Sequence, residues 1–263
     1  MSDTFLEIIV AKTRERVVRQ KLGQSVDAVK RRALEVLAGA KPHRLRTALS
    51  RTDKINIIAE IKRASPSKGV INADIDVIAL AKQYAAGGAA AISVLTESEY
   101  FRGSLDDLRA AREAVDLPIL RKDFTVDEFQ IYEAAATGAD AILLIVAALT
   151  EQNLKDFLHL AQDELGIDAL VEVHSREELN AALNIGATII GVNNRNLHSL
   201  EVSLDVSRDL IASRPEGALI VAESGITTRA EIDELKQLGF DAFLIGESLM
   251  RTGDAERTLG AWI

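Results

Sequence analysis

Residues 137–146 read TGADAILLIV, a small turn that leads into a run of apolar residues typical of a buried strand. The same pattern occurs in GGAAAISVL (87–95), IGATIIGVN (185–193) and LGFDAFLIG (238–246). It returns about every 50 residues, and a repeat at a fixed period carries more weight than any single motif. The repeat therefore predicts a fold built from one strand-containing unit that is used several times.

Four further apolar runs complete the set of predicted strands: INIIAEIK (55–62), LPILRKD (117–123), IDALVEVH (167–174) and ALIVAES (218–224). Helical patterns lie between successive strands, and this alternation is typical of a parallel sheet covered by helices. Eight such units in 263 residues predict a (β/α)8 TIM barrel. A doubly wound open sheet is the alternative, although such sheets usually have fewer strands and less regular spacing.

The segment before the first strand is predicted to be an N-terminal helical extension. FLEIIVAKTRERVVRQKL (5–22) and SVDAVKRRALEVLAG (25–39) carry apolar residues at helical spacing, which predicts two helices packed against the barrel. No Ser- or Gly-rich linker separates them from the rest of the chain. We therefore expect residues 1–263 to form a single domain, with 1–50 as the extension and 51–263 as the barrel.

The composition argues against several classes of protein. A net charge of −9 and a pI near 5.1 disfavour nucleic acid as a partner. No apolar run reaches the roughly 18 residues of a membrane span, and Asp3 and Glu7 do not suit a signal peptide. We expect a cytoplasmic protein that binds no membrane. A monomer is the expected state, with a homodimer left open.

Polar side chains stand at the carboxyl ends of five predicted strands, where apolar residues are expected. They are Glu60, Lys62, Lys122, Glu172, Asn193 and Glu223. Burying an unpaired charge costs several kcal/mol, and barrels of this type have their active site at the carboxyl ends of the strands. The set therefore predicts an active site. The alternative is an ion-pair network that only fills the barrel mouth.

Two glycine-containing turns predict a site for a phosphorylated small molecule. Ser224-Gly225 follows the seventh strand and Gly246-Glu247 follows the eighth, and these two loops often bind phosphate in such barrels. Backbone N–H groups are the expected donors, and a pair of ordinary turns is the alternative. The polar segment RASPSKGVI (63–71) suits either a mobile lid or a plain loop.

The histidines show no metal-ligand spacing. His43, His159 and His198 are isolated in the sequence, and His174 after the fifth strand suggests a loop residue. The chain has no cysteine and no glycine-rich nucleotide fingerprint. We therefore predict no metal site.

Several motifs together resemble the indole-3-glycerol phosphate synthase family. They include IAEIKRASPSKG (58–69), PILRKDF (118–124), GVNNRNL (191–197), VAESGI (221–226) and FLIGESLM (243–250). They follow the order and spacing of that family over nearly the whole chain, and an extra N-terminal helix is also a family feature. The first motif and LRKDF are the most specific.

The resemblance implies a reaction that needs no cofactor. In it, 1-(2-carboxyphenylamino)-1-deoxyribulose 5-phosphate undergoes ring closure, decarboxylation and dehydration to indole-3-glycerol phosphate in tryptophan biosynthesis. Lys122 is then the general acid of ring closure, Glu172 the principal acid/base carboxylate, and Glu60 an assistant at the departing hydroxyl. The division of proton transfers between Lys122 and Lys62, and between Glu172 and Glu60, stays open.

The resemblance also assigns the remaining site residues. Lys62 holds a substrate carboxylate or phosphate, Asn193 and Glu223 orient substrate groups, and Arg195 supports the site from behind. The positions that match phosphate contacts are Ser65, Ser224, Gly225, Gly246 and Glu247. Those that match the apolar pocket for the anthranilate ring are Phe101, Phe124 and Leu144.

Two positions depart from the family pattern, and other functions stay open. Many relatives have serine in place of Glu247 and an aromatic residue in place of Leu45, and the latter change is expected to loosen the packing of the N-terminal helix over the site. Rival enzymes are phosphoribosylanthranilate isomerase and a Schiff-base lysine aldolase. A non-catalytic barrel that binds a phosphometabolite or a protein, and an engineered barrel with a changed substrate, are further alternatives.

Overall fold

Eight parallel strands close into a barrel in the computed structural model, which describes residues 4–196, 199–212, 214 and 216–263. Closure is seen at the first strand, which pairs with the second through Glu60 and Ser93 and with the last through Asn56 and Ala242. The predicted TIM barrel is therefore confirmed, and the open sheet is wrong. The strands are β1 (Asn56–Ile61), β2 (Ala91–Leu95), β3 (Ile119–Lys122), β4 (Ala141–Ile145), β5 (Asp168–Val173), β6 (Ile189–Asn193), β7 (Leu219–Glu223) and β8 (Ala242–Ile245).

Helices precede the barrel and follow each of its strands. The described residues form α1 (Phe5–Gly23), α2 (Val26–Leu37), α3 (Arg44–Leu49), α4 (Val77–Ala86), α5 (Leu105–Ala114), α6 (Glu128–Ala136), α7 (Glu151–His159), α8 (Arg176–Asn184), α9 (Asp205–Ile211), α10 (Arg229–Leu238), α11 (Glu247–Arg251) and α12 (Ala255–Trp262). Across this described part of the chain, no helix combines the length and apolar character needed to cross a bilayer.

Many of the helices begin at a side chain that accepts a hydrogen bond from the first turn. Ser104 accepts from the N–H of Asp107 before α5, and Ser175 accepts from the N–H of Glu178 before α8. Such caps satisfy backbone donors that the helix itself leaves unpaired. They fix where each helix starts, and therefore the length of the loop that leaves each strand at the carboxyl mouth.

The strands bury both of their faces, in two separate apolar layers. In β4, Leu143 belongs to the cluster inside the barrel, whereas Ile142 and Leu144 belong to the cluster between the strands and the helices. Successive strand residues point to opposite faces, so the alternation is the expected consequence of the pleat. Burial on both faces explains why the strands appear in the sequence as continuous apolar runs.

The N-terminal segment covers both ends of the barrel. Leu6, Ile9 and Val10 of α1 pack beside Phe101 and Phe124 at the carboxyl mouth. The opposite end is closed by α3, a helix that the sequence patterns did not predict.

The position of α3 corrects the expectation for Leu45. This residue and Leu49 are completely buried with the inner barrel residues, and the N–H of Arg46 donates to Asp168 at the start of β5. Leu45 therefore lies at the end of the barrel opposite the predicted site. Its identity cannot loosen the packing of α1 over that site.

Candidate active site

Two adjoining cavities open at the carboxyl mouth, with volumes of about 120 Å³ and about 700 Å³. Glu60, Lys62 and Lys122 line both of them, so the charged strand ends lie at the boundary between the two spaces. Fourteen of the fifteen predicted site residues line one cavity or both. They are Glu60, Lys62, Ser65, Phe101, Lys122, Phe124, Glu172, Asn193, Arg195, Glu223, Ser224, Gly225, Gly246 and Glu247.

Leu144 is the exception, and the expectation that it lines the pocket is wrong. Its side chain is fully buried in the layer between the strands and the helices. Its neighbours Leu143 and Ile145 line the smaller cavity instead. The reason is the alternation of side chains along β4, which places these two residues on the inner face of the strand.

Lys122 is held between two buried carboxylates. Its Nζ lies 3.0 Å from Oε2 of Glu223 and 3.2 Å from Oε2 of Glu172. Burial disfavours the charge on Lys122, but the two carboxylates outweigh it and raise the pKa of the ammonium above its usual range. The group is therefore a cation at neutral pH, fixed at the end of β3.

The two carboxylates that contact Lys122 differ in their acidity. Burial alone would raise both pKa values, but the ammonium of Lys122, with help from His174, lowers the pKa of Glu172 well below its usual range. The pKa of Glu223 is raised by burial and by the charge of Glu172. Glu172 is thus ionised at neutral pH and can act as a base, whereas Glu223 is the member of the pair that accepts a proton first.

Two glycines leave room for the carboxylates. A Cβ at residue 191 would lie 1.9 Å from Oε1 of Glu223, and a Cβ at residue 246 would lie 2.6 Å from Oε1 of Glu60. A larger residue at either place would therefore displace the carboxylate beside it. Oε1 of Glu60 in turn accepts a 2.7 Å hydrogen bond from Nζ of Lys62, and the two groups form an ion pair. The acid residues are therefore placed by their neighbours on β6 and after β8.

Sequence reasoning missed the role of His174, which it treated as a loop residue. Its Nε2 lies 3.3 Å from Oε1 of Glu172, and its Nδ1 lies 3.2 Å from Oε2 of Glu178. Burial opposes a charge on the ring, but the two carboxylates outweigh it and raise the pKa of His174 to about 9. The available signal was spacing, because Glu172 precedes the histidine by two residues on the strand and Glu178 follows it by four.

The larger cavity has the features expected of an anion site. Ser224 and Gly225 at the end of β7 have φ values of +66° and +83°, so the chain turns sharply there. Ser248 Oγ donates to the carbonyl of Ile226 at 2.8 Å and ties the start of α11 to this turn. Lys62 and Lys68 also line the cavity and supply positive charge.

The segment for which the sequence left a mobile lid or a plain loop open contains a short hairpin, in which Ala64–Ser65 pairs with Gly69–Val70. Its tip is connected to the far side of the mouth, because Nη1 of Arg195 donates to Ser67 Oγ and to the carbonyl of Leu200, each at 3.0 Å. Arg195 therefore spans both cavities, between the loops that follow β1 and β6.

Aromatic side chains line the smaller cavity on the side of α1. Phe101 and Phe124 are in tilted contact, with ring centroids 6.3 Å apart, and Phe5 lines the same space. Tyr100 packs edge-on against Phe5 at 5.1 Å and does not line the cavity. The cavity thus has an apolar wall and a charged floor.

Asp123 joins the pocket to α1, and sequence reasoning did not assign it a role. Its carboxylate lies 2.7 Å from Arg16 of α1 and 3.1 Å from Arg121, and it accepts a 2.9 Å hydrogen bond from Thr96. Burial opposes ionisation, but the two guanidinium groups outweigh it and lower the pKa of Asp123. This ion pair holds α1 across the mouth.

Comparison with known proteins identifies the family. A sequence model described as indole-3-glycerol phosphate synthase matches residues 6–261. The protein of that name from Sulfurimonas denitrificans is 45% identical over 257 residues, covering 97% of each chain. That from Koribacter versatilis is 47% identical over 261 residues, covering 98% of each. This chain belongs to the indole-3-glycerol phosphate synthase family.

Solved structures of much lower identity share only the fold with this chain. The 3-hexulose-6-phosphate synthase from Salmonella typhimurium superposes with a TM-score of 0.64 at 13% identity, covering 79% of this chain and 96% of that one. The thiamine phosphate pyrophosphorylase from Pyrococcus furiosus has a TM-score of 0.60 at 18% identity, covering 83% of this chain and 95% of that one.

Indole-3-glycerol phosphate synthases are decarboxylating lyases of tryptophan biosynthesis that act on a phosphorylated small molecule. Membership of this family argues against the isomerase, the aldolase and the non-catalytic barrel. Within the described ranges, no group of three or more His, Cys, Asp or Glu side chains could hold a metal ion. His198 and Leu197 lie outside those ranges.

Proposed function

We propose that the two cavities bind 1-(2-carboxyphenylamino)-1-deoxyribulose 5-phosphate end to end and that the charged residues between them convert it to indole-3-glycerol phosphate. The observation that carries the proposal is the position of Lys122. Its ammonium is fixed by Glu172 and Glu223 at the boundary between an apolar space and an open polar one. A substrate with an aromatic ring at one end and a phosphate at the other would place its carbonyl group there.

The residues that line the two cavities determine how the substrate binds. The anthranilate ring packs against Phe101 and Phe124, with Leu143 and Ile145 taking the place expected for Leu144. Ser65 Oγ is buried and has no hydrogen-bond partner among the described residues, so it is available to donate to the substrate.

The phosphate is placed in the larger cavity. Ser224 offers its hydroxyl there, and Gly225, Gly246 and Glu247 offer backbone N–H groups. Lys62 supplies a positive charge on the wall of the same cavity, at the edge nearest the smaller one. The two ends of the substrate are thereby fixed on either side of the catalytic charges.

Ring closure uses the fixed cation. Lys122 donates a proton to the carbonyl oxygen as the ring carbon attacks the carbonyl carbon, so that negative charge never accumulates on that oxygen. The bond to the carboxylate then breaks, its electron pair restores the aromatic ring, and CO2 leaves. Asn193 and Glu223 orient the substrate hydroxyl and carboxylate groups, and Arg195 borders the same space as a support.

Dehydration needs a base and an acid. Glu172, whose pKa is lowered by Lys122 and His174 in spite of its burial, is the ionised carboxylate that removes the proton from carbon. Lys62 and Glu60 form a 2.7 Å pair at the other side of the mouth, where they assist the departure of the hydroxyl as water. Each group thus acts from a position that its neighbours fix.

The test is an indole fluorescence assay with the synthetic substrate. Lys122→Met and Glu172→Gln should each lower kcat by about 10²-fold or more, because a placed acid or base typically contributes that much. Lys82→Met, at an exposed position of α4, is the matched control and should retain full activity. Near-normal turnover of Lys122→Met would remove the acid role from that residue.

Two further results would overturn the activity itself. Substrate binding by the wild type without formation of an indole product would favour a non-catalytic binding protein. Trapping of a borohydride-reduced adduct at Lys122 would favour a Schiff-base aldolase.

We also propose that the protein acts in the cytoplasm as a monomer and as a single domain. Support for the single domain comes from α1 and α3, which pack against opposite ends of the same barrel. Light scattering at working concentration should give a mass near 28.5 kDa. A dimer mass would contradict the monomer.

A further inference from the structure

The proposed reaction consumes one proton in every turnover. Ring closure places one proton on the carbonyl oxygen, and dehydration places another on the departing hydroxyl, whereas only one proton returns from carbon. The balance is set by decarboxylation, which turns a carboxylate into neutral CO2. Bulk water must therefore resupply one proton to a site whose two cavities the bound substrate would fill.

A chain of contacts leads from the buried acid to the surface. Lys122 Nζ lies 3.2 Å from one oxygen of Glu172, and the other oxygen of that carboxylate lies 3.3 Å from Nε2 of His174. Nδ1 of the same ring lies 3.2 Å from Glu178. The exposed fraction of the side chain rises along this path, from 3% for Glu172 to 14% for His174 and 23% for Glu178.

The outer end of the path meets a third cavity. This space of about 270 Å³ is lined by His174 and Glu178, with Asn193 and Arg195 on the side of the substrate pocket. Its volume is enough for several water molecules. Water in it would contact the outer two members of the chain without passing through the substrate cavities.

We infer that His174 and Glu178 form a proton relay that returns a proton from bulk water through Glu172 to Lys122 after ring closure, while Glu172 is still ionised. The proton that Glu172 later takes from carbon then replaces the one spent on the departing hydroxyl. The inference rests on the proposed function, because it answers the proton demand of that reaction. Imidazole suits the task, since one ring nitrogen can accept a proton while the other releases one. His174 is thus a positioning and relay residue and does not itself touch the substrate.

The charges around His174 support the direction of transfer. Burial disfavours the imidazolium, but Glu172 on β5 and Glu178 on α8 raise its pKa to about 9. Three charged groups from other elements also lie near the ring. Lys122 contacts the far oxygen of Glu172, and Arg195 and Glu201 line the cavity that His174 also lines. The ring is therefore protonated at neutral pH. Once Lys122 has given up its proton, it is the stronger base and draws the proton inward.

A purely structural role is the competing explanation, because Glu178 also accepts a 2.8 Å hydrogen bond from the N–H of His174 at the start of α8. Glu178→Gln keeps an acceptor at that place and removes only the titrating group. Glu231→Gln is the matched control, since Glu231 accepts from the N–H groups of Thr227 and Thr228 at the start of α10. Among the residues that the structure describes, the partners of Glu231 include no histidine.

The experiment measures single-turnover formation of product by indole fluorescence, from pH 6 to 10. His174→Gln should slow the reaction at least about tenfold, less than the loss of a direct acid or base. Added imidazole should restore its rate in proportion to concentration and leave the wild type unchanged. The rate of the wild type should fall above about pH 9, where His174 loses its proton, and this fall should be absent from His174→Gln. Glu178→Gln should change the pH at which the rate falls, because Glu178 contributes to the raised pKa of His174.

The outcomes separate the relay from the proposed function. If the wild type forms product and His174→Gln has the same rate and pH profile, the relay is wrong and the function stands. A slow His174→Gln variant whose rate still falls above about pH 9 and does not respond to imidazole would assign the residue a structural role and also overturn the relay. No product from the wild type would overturn the function itself.

Discussion

Replacing Lys122 with methionine would leave two buried carboxylates without their shared cation. Glu172 and Glu223 both contact its ammonium, and their side chains are only 3% and 1% exposed. Methionine has a similar volume but no charge, so the change isolates the electrostatic contribution. We expect the free energy of unfolding to fall even though the apolar packing is kept.

The distances set the scale of the loss. At 3.0 and 3.2 Å, each contact is worth about 5 kcal/mol for an effective dielectric constant near 20. Dehydration of the ammonium offsets much of this attraction in the wild type. Removal of one partner from a buried ion pair costs about 3–5 kcal/mol, and we expect a loss in that range at pH 8.

The loss should depend on pH with a definite sign. Without the ammonium, burial and mutual repulsion would raise the carboxylate pKa values above those of the unfolded chain. The folded variant would then bind more protons than its unfolded form, so the cost grows as pH rises through the raised pKa and shrinks as pH falls. We expect the difference from the wild type to be smaller at pH 5 than at pH 8.

Urea unfolding followed by circular dichroism, at pH 5, 6.5 and 8, measures this difference. The double variant Lys122→Met/Glu223→Gln removes one of the stranded charges and should recover at least half of the loss. The reasoning would be refuted by a Lys122→Met protein whose stability stays within about 1 kcal/mol of the wild type at pH 8, since a stranded buried charge cannot cost so little.

Two other predictions concern the glycines of the site. Inorganic phosphate should raise the apparent KM for the substrate and leave kcat unchanged, because it competes with the substrate phosphate for the turns at Gly225 and Gly246. Absence of inhibition at millimolar phosphate would contradict the anion site. Gly191→Ala should destabilise the fold by about 1–3 kcal/mol and lower kcat, because its methyl group needs the space of Glu223. At Gly260 a Cβ would meet no atom of the described residues within 4 Å, so Gly260→Ala should instead stabilise α12 by about 0.5–1 kcal/mol. Equal effects of the two changes on unfolding would count against the packing argument.

The barrel was predictable because its strands are buried on both faces. Residues such as Ile57, Ile58 and Ala59 have no exposed surface at all, so the strand appears as an unbroken apolar run. Glu60 interrupts that run, which is why the catalytic mouth was also visible in the sequence. A polar residue in such a strand must have a partner or a function.

The features that the sequence did not reveal depend on tertiary contacts. The run AILLI (141–145) is apolar on both faces, so composition could not decide whether Leu144 or its neighbours face the pocket. The helix α3 has only six residues and is held by the barrel end that it closes. The contact between His174 and Glu178 depends on the turn between β5 and α8, which brings the two side chains together.

The pairing of β1 with β8 has a consequence for how the protein folds during its synthesis. Glu60 owes its place to Gly246, so an element near the start of the chain is completed by one near its end. A nascent polypeptide whose last strand is still inside the ribosome has neither a closed barrel nor the complete anion site. Catalytic competence should therefore switch on abruptly, late in synthesis, and not accumulate one repeat at a time.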